Sequence, residues 1–247
     1  MSWLPIDQTL ELIQFASWAD REARSDLAGS YIHDEDDYTA NFTGALRRII
    51  NSNSQTGLTA TSLMLSPQDE QRTGTDATII ITRKGESKIA LFEAKWPRIT
   101  NPHYQWDYNQ SATGLSHFSD QLARQHRLCK RFAIFEMFFC ECEFGKQPTY
   151  MQKDGSSCVW HGEAHTFMNS RTNPDAVWDQ ADLVSMLQSG SVSIGDILRP
   201  FCACTRGEVF RMDKPKEIVL EFNLPPRILV VQSNTDNRTD CPRKIDQ

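Results

Sequence analysis

Asp76, Glu93 and Lys95 are the residues whose types and spacing could do chemistry in this chain. They sit within residues 73–96, TGTDATIIITRKGESKIALFEAKW, which read as two strands joined by a tight turn. Residues 77–82 are a β-branched run, residues 83–86 supply the turn, and residues 88–95 return. Side chains on a strand alternate faces, so Glu93 and Lys95 point one way while Phe92 and Ala94 point the other. A turn at residues 84–86 places Asp76 opposite or diagonal to Glu93 and Lys95, about 5 Å or roughly 7 Å away between Cβ atoms. Carboxylates are the oxygen ligands a hard cation such as Mg²⁺ takes. An ammonium beside them can stabilise negative charge that develops in a reaction. The plainer reading is a cross-strand ion-pair cluster worth only ~0.2–1 kcal/mol. A strand this apolar has little reason to end on Glu and Lys for that alone.

Asp76, followed by Glu93-Ala94-Lys95 on an apolar strand, resembles the D…(D/E)xK signature of the PD-(D/E)xK nuclease superfamily. That superfamily includes many restriction endonucleases, Holliday-junction resolvases and recombination exonucleases. Thr75 stands where its members usually carry proline. The resemblance implies an α/β fold with a restriction-endonuclease-like αβββαβ core, a central mixed sheet flanked by helices. It also implies metal-dependent hydrolysis of phosphodiester bonds, in DNA ahead of RNA, for defence/restriction or repair. Mg²⁺ or Mn²⁺ would be held by Asp76, Glu93 and the Ala94 carbonyl, and Lys95 would orient the attacking water or stabilise developing charge. Many relatives cut as dimers, so the resemblance also admits a homodimer. The other reading kept open is a catalytically inactive nuclease-fold module that binds nucleic acid or a protein partner. A phosphatase or other small-substrate hydrolase lacks support, because there is no Gly-rich phosphate loop.

The flanking chain must position these groups. Residues 34–50 read as a helix, with Tyr38, Phe42, Ala45, Leu46 and Ile49 at helical spacing. Asp34, Asp36 and Asp37 suit its N-terminus. Glu35 falls within the apolar stripe, where a carboxylate needs a partner or a metal; by resemblance to the helix that precedes the sheet, it is a metal-proximal acid. Residues 58–65 are a strand candidate, and residues 66–72 a loop in which Asp69 and Glu70 are solvated. Beyond the hairpin, Tyr104, Trp106 and Tyr108 lie in a loop that could stack bases or pack on its own body.

Residues 114–131 are helical, with Phe118, Leu122, Leu128 and Phe132 on the apolar face and Gln121 and Gln125 among them. Buried amides must be hydrogen-bonded, in a structural network or toward a catalytic pocket; by resemblance, one of them positions Lys95 or the phosphate. Arg124, Arg127 and Arg131 share an adjoining face near His117, suited to a phosphate backbone or to simple solvation. Residues 132–139 form a buried strand. The order helix, three strands, helix, strand agrees with the core that the resemblance implies.

The chain of 247 residues is read as a single domain: a core at about 33–140, an N-terminal packing helix at 5–20, a C-terminal α+β elaboration at 141–232 and a polar tail at 233–247. Within the elaboration, residues 181–201 suggest helices broken near Ser189-Gly190, and residues 217–222 and 226–231 suggest strands. A net charge of −6 argues against sequence-blind adhesion to nucleic acid, so any binding needs a local basic patch. The opening residues have no basic region followed by an apolar run, and nothing approaches a bilayer-spanning stretch. With seven cysteines, an odd number, a reducing cytoplasmic setting and mostly free thiols are expected. Cys140-x-Cys142 and Cys202-x-Cys204, with Cys158, His161 and His165 between them, lack the usual C-x₂-C spacing, so structural zinc is not expected.

Overall fold

Lys84 and Gly85 take positive φ angles of 50° and 77°, as a two-residue type I′ turn requires. The turn closes β2 (Ala77–Arg83) onto β3 (Glu86–Lys95), with Arg83 opposite Glu86 and Ala77 opposite Phe92. The computed structural model of the chain describes residues 2–64, 74–101, 103–111, 113–203, 205–225 and 227–234. Residues 65–73 with Asp69 and Glu70, Cys204, and the expected tail from residue 235 lie outside the described residues.

The hairpin is preceded by α1 (Ile6–Ala28), α2 (Glu35–Asn53) and β1 (Leu58–Met64). It is followed by α3 (His117–His126), β4 (Ala133–Phe138), β5 (Ser157–Trp160), α4 (His161–Ser170), α5 (Gln180–Gly190), α6 (Ile194–Cys202), α7 (Pro215–Phe222) and β6 (Arg227–Ser233). The described residues thus form a mixed α/β fold of seven helices around a six-stranded mixed sheet in the order β1-β6-β2-β3-β4-β5. The expected succession of helix, three strands, helix and strand is present.

One feature of the C-terminal half differs from expectation. Residues 217–222 are helical, inside α7, where a strand was expected. Pro215 starts this helix, only Ile218 and Val219 are buried, and Leu220 faces solvent. The strand expected at residues 226–231 is present as β6 and completes the sheet. It lies between β1 and β2, antiparallel to the first and parallel to the second. Its run Ile228-Leu229-Val230-Val231 is buried on both faces, and an apolar run of that kind belongs inside a sheet. The sheet therefore draws on both halves of the chain.

One face of the sheet packs against α1, α2 and α6 through Ile79, Ile81, Phe92, Ala94, Phe135 and Met137. Phe42 meets Phe92 edge-on at 5.9 Å between ring centroids. α1 runs past the expected residue 20 because a buried polar network ties down its second half. Asp20 accepts hydrogen bonds from the Tyr38 hydroxyl at 2.8 Å and the Ser156 N–H at 2.6 Å. Arg24 donates to the Gly155 and Cys142 carbonyls, each at 2.9 Å. The other face is covered by α7 over Ile80, Leu91, Ile134 and Val230, and by α3, α4 and α5 around Phe138 and Val159. Glu93, Lys95 and Glu136 continue this second face by strand alternation.

Candidate active site

The hairpin register brings Asp76 to the open end of β2 and β3. Its N–H donates to the Phe92 carbonyl at 2.9 Å, and its Oδ2 accepts from the Ala94 N–H at 2.7 Å. Lys95 Nζ lies 2.6 Å from Glu93 Oε1 and 3.5 Å from Glu35 Oε2. Glu35 begins α2, where its Oε1 also accepts from the Trp96 N–H at 2.7 Å. The helical wheel puts this carboxylate in the core. The structure instead leaves its side chain 39% exposed at the helix start, facing Lys95. From α3, Gln121 Nε2 donates to Glu93 Oε1. Asp76, Glu93, Lys95, Glu35 and Gln121 thus converge as the sequence suggests.

Gly74 allows that convergence. It has φ of +70°, and a Cβ there would stand 2.9 Å from the Gln121 carbonyl oxygen. Its own carbonyl accepts from Gln125 Nε2 at 2.6 Å. The segment that delivers Asp76 is thereby laid directly against α3, an approach open only to glycine.

The charges do not balance. Asp76, Glu93 and Glu35 surround a single ammonium. Burial pushes the Asp76 carboxyl up to about 6, against the opposing pull of Lys95 and the Ala94 N–H. Burial, and then Asp76, push Glu93 well above the ordinary carboxylate range. Lys95 is held in its charged form: Glu93, Glu35 and Asp76 outweigh the cost of its burial. Glu93 Oε2 and Gln121 Oε1 are both buried without a hydrogen-bond partner among the described residues. An unsatisfied buried acceptor costs roughly 1–3 kcal/mol and calls for a donor or a cation. This donor set of carboxylate and amide oxygens, with surplus negative charge and an orphaned carboxylate oxygen, fits Mg²⁺ or Mn²⁺. Asp76 and Glu93 are the groups that could hold it, with Glu35 alongside.

The remaining expected residues fall into separate places. Gln125 is behind the site, bonded to Gly74, to Glu136 Oε2 at 3.3 Å and to His161 Nδ1 at 2.9 Å. Glu136 was not anticipated; it pairs in register with Glu93 and is fully buried. Its only sequence signal is a lone acid inside an apolar strand. A cleft of about 410 Å³ opens over the site, bordered by Glu35, Asp76, Lys95, Arg98, Tyr104 and Tyr108. Tyr104 and Tyr108 are exposed, whereas Trp106 is 8% exposed and packs edge-on against Phe118, Phe138 and Trp178. Trp106 thus packs on the body of the protein while still lining the cleft.

His117 turns into the cleft, stacked on Tyr108 with centroids 4.7 Å apart. Burial, and then Lys95, keep its imidazole below the ordinary histidine range. Arg124 borders the smaller recess beside Glu93 and pairs with Asp120 at 3.0 Å. Arg127 is exposed at the end of α3, and Arg131 lies over Phe222 with Glu208 at 3.7 Å. Neither Arg127 nor Arg131 borders the cleft.

Compared with known proteins, the chain matches no family model, no curated protein and no solved structure. No helix among the described residues is long and apolar enough to cross a membrane.

Proposed function

We propose that this chain is a metal-dependent nuclease of the PD-(D/E)xK type, hydrolysing phosphodiester bonds in DNA ahead of RNA. The observation that carries the proposal is the excess of carboxylate over ammonium where β2 and β3 end, with the buried Glu93 Oε2 unpartnered among the described residues. A surface ion-pair cluster has no reason to leave a buried acceptor unmatched. When bound, a divalent cation supplies an acidified water and a polarised phosphoryl oxygen. Gln121 fixes the rotamer of Glu93 through its amide, and the Ala94 N–H fixes Asp76. Lys95, held charged by its carboxylate neighbours, stabilises the negative charge that builds on the phosphoryl group. Tyr104, Tyr108 and the Arg98 guanidinium, which stacks on both Trp96 and Tyr104, offer faces for an unstacked base. In this reading the helix–three strands–helix–strand succession is a restriction-endonuclease-like core, with β6 inserted between its first two strands.

The test is cleavage of linear and circular DNA, double- and single-stranded, with Mg²⁺ or Mn²⁺. Wild type should cut only with the cation, and Asp76→Asn and Lys95→Ala should each lose about 10²–10³-fold while staying folded. Variants that cut as well as wild type would overturn the assignment. Metal-dependent binding without cleavage would favour a non-catalytic nucleic-acid module.

A further inference from the structure

A second constellation lies behind the first, where α3 ends and α4 begins. His126 closes α3, Cys129 follows one turn later, and His161 opens α4. His126 Nδ1 is 3.3 Å from His161 Nε2 and 3.8 Å from Cys129 Sγ. The three donor atoms all lie within 4.8 Å of one another. A tetrahedral zinc site has bonds of about 2.05 Å to nitrogen and 2.3 Å to sulfur. The edges of that tetrahedron are then roughly 3.3 Å between two nitrogens and roughly 3.6 Å between nitrogen and sulfur. The observed separations from His126 are close to both values.

The second observation concerns His161. It is 1% exposed, and its Nδ1 lies 2.9 Å from Gln125 Oε1 and 3.6 Å from Glu136 Oε1. Acceptors in front of Nδ1 place the ring proton there and leave the lone pair on Nε2, which faces His126. This is how a carboxylate or amide orients a metal-binding imidazole.

We propose that His126, Cys129 and His161 form a binding site for a thiophilic divalent cation of the zinc class, separate from the carboxylate site. On binding, the Cys129 thiol releases its proton to solvent and its sulfur becomes a ligand. The proton on His126 moves to Nε2, freeing Nδ1 as the second ligand. His161 Nε2 is the third. Solvent takes the fourth position, since His126 is exposed and the His165 ring lies flat on it at 3.8 Å instead of pointing into the site. Of the cysteines first weighed for zinc, Cys158 and Cys202 are buried, and burial pushes their thiols up. The site would clamp the helix that carries Gln121 and Gln125 to α4.

The experiment is a Co²⁺ titration of the chelator-stripped full chain, with zinc competition. Wild type should give a thiolate-to-cobalt charge-transfer band, lost on adding equimolar Zn²⁺ and unaffected by excess Mg²⁺. Cys129→Ser should abolish the band, and His126→Ala should weaken binding by about tenfold or more; both positions are at least partly exposed, so the fold should survive. Asp76→Asn should leave the band unchanged, which separates this site from the nuclease reading. Failure of the wild type to give the band, or persistence of the band in Cys129→Ser, would overturn the proposal. In that case the imidazoles share only a hydrogen bond.

Discussion

Asp76 sits where stability alone would not favour a carboxylate. Its carboxyl is raised to about 6 chiefly by burial, so the folded state binds a proton more tightly than the unfolded chain does. The stability associated with that proton is complete below pH 4 or so and is lost as pH rises through about 6. Glu93 shifts in the same direction and extends the window upward. Urea denaturation of the metal-free protein should therefore show stability falling by about 1–3 kcal/mol across this range. Asp76→Asn should flatten the profile and stabilise the metal-free protein at neutral pH, while lowering cleavage by about 10²–10³-fold. Unchanged pH dependence in this variant would mean that Asp76 is not strained by burial. The same protons compete with the cation, so Mn²⁺ affinity should rise with pH over the same interval.

At the scale of elements, the site depends on how closely the segment before β2 approaches α3. Gly74→Ala would place a methyl group 2.9 Å from the Gln121 carbonyl in a left-handed conformation. The clash is with backbone, so α3 or Asp76 must move. Expected is a loss of about 1–3 kcal/mol in thermal stability, and a loss of cleavage that persists at temperatures where the variant remains folded. Full activity in folded Gly74→Ala would show that this approach does not set the position of Asp76.

The hairpin and its triad were legible because β-branched alternation, the Lys84-Gly85 turn and the position of the acids agree. The extent of α1 was not, because Asp20 and Arg24 are buried in polar bonds that break the apolar pattern. α7 is not legible as a helix because a short apolar run such as residues 218–220 fits either period. Glu136 and Cys129 carry no local pattern; only the parallel register of β3 and β4 and the meeting of α3 with α4 give them meaning.

For the whole molecule, the expected core at residues 33–140 lacks a strand. β6 separates β1 from β2, and α1 and α6 cover the sheet face that α2 leaves open. A fragment of residues 33–140 should therefore show no cooperative thermal transition. A fragment that melts cooperatively would show that β1 and β2 can pair without β6. The cleft rim is mixed in charge, with Asp34, Glu35 and Asp36 opposite Lys95 and Arg98. In a chain of net charge −6, DNA affinity at this cleft should rise by about tenfold or more when Ca²⁺ offsets the carboxylates, and should fall with added salt. Filter binding with and without Ca²⁺ checks this, and affinity indifferent to the cation would place DNA elsewhere.

The most direct measurement is a calorimetric titration of Mn²⁺ into wild type, Asp76→Asn and Glu93→Gln at pH 7.5. Wild type should bind Mn²⁺ saturably at the carboxylate site, and both variants should lose that binding with folds intact by circular dichroism. Equal Mn²⁺ binding in all three would leave Asp76, Glu93 and Lys95 as an ion-pair cluster at the end of a hairpin.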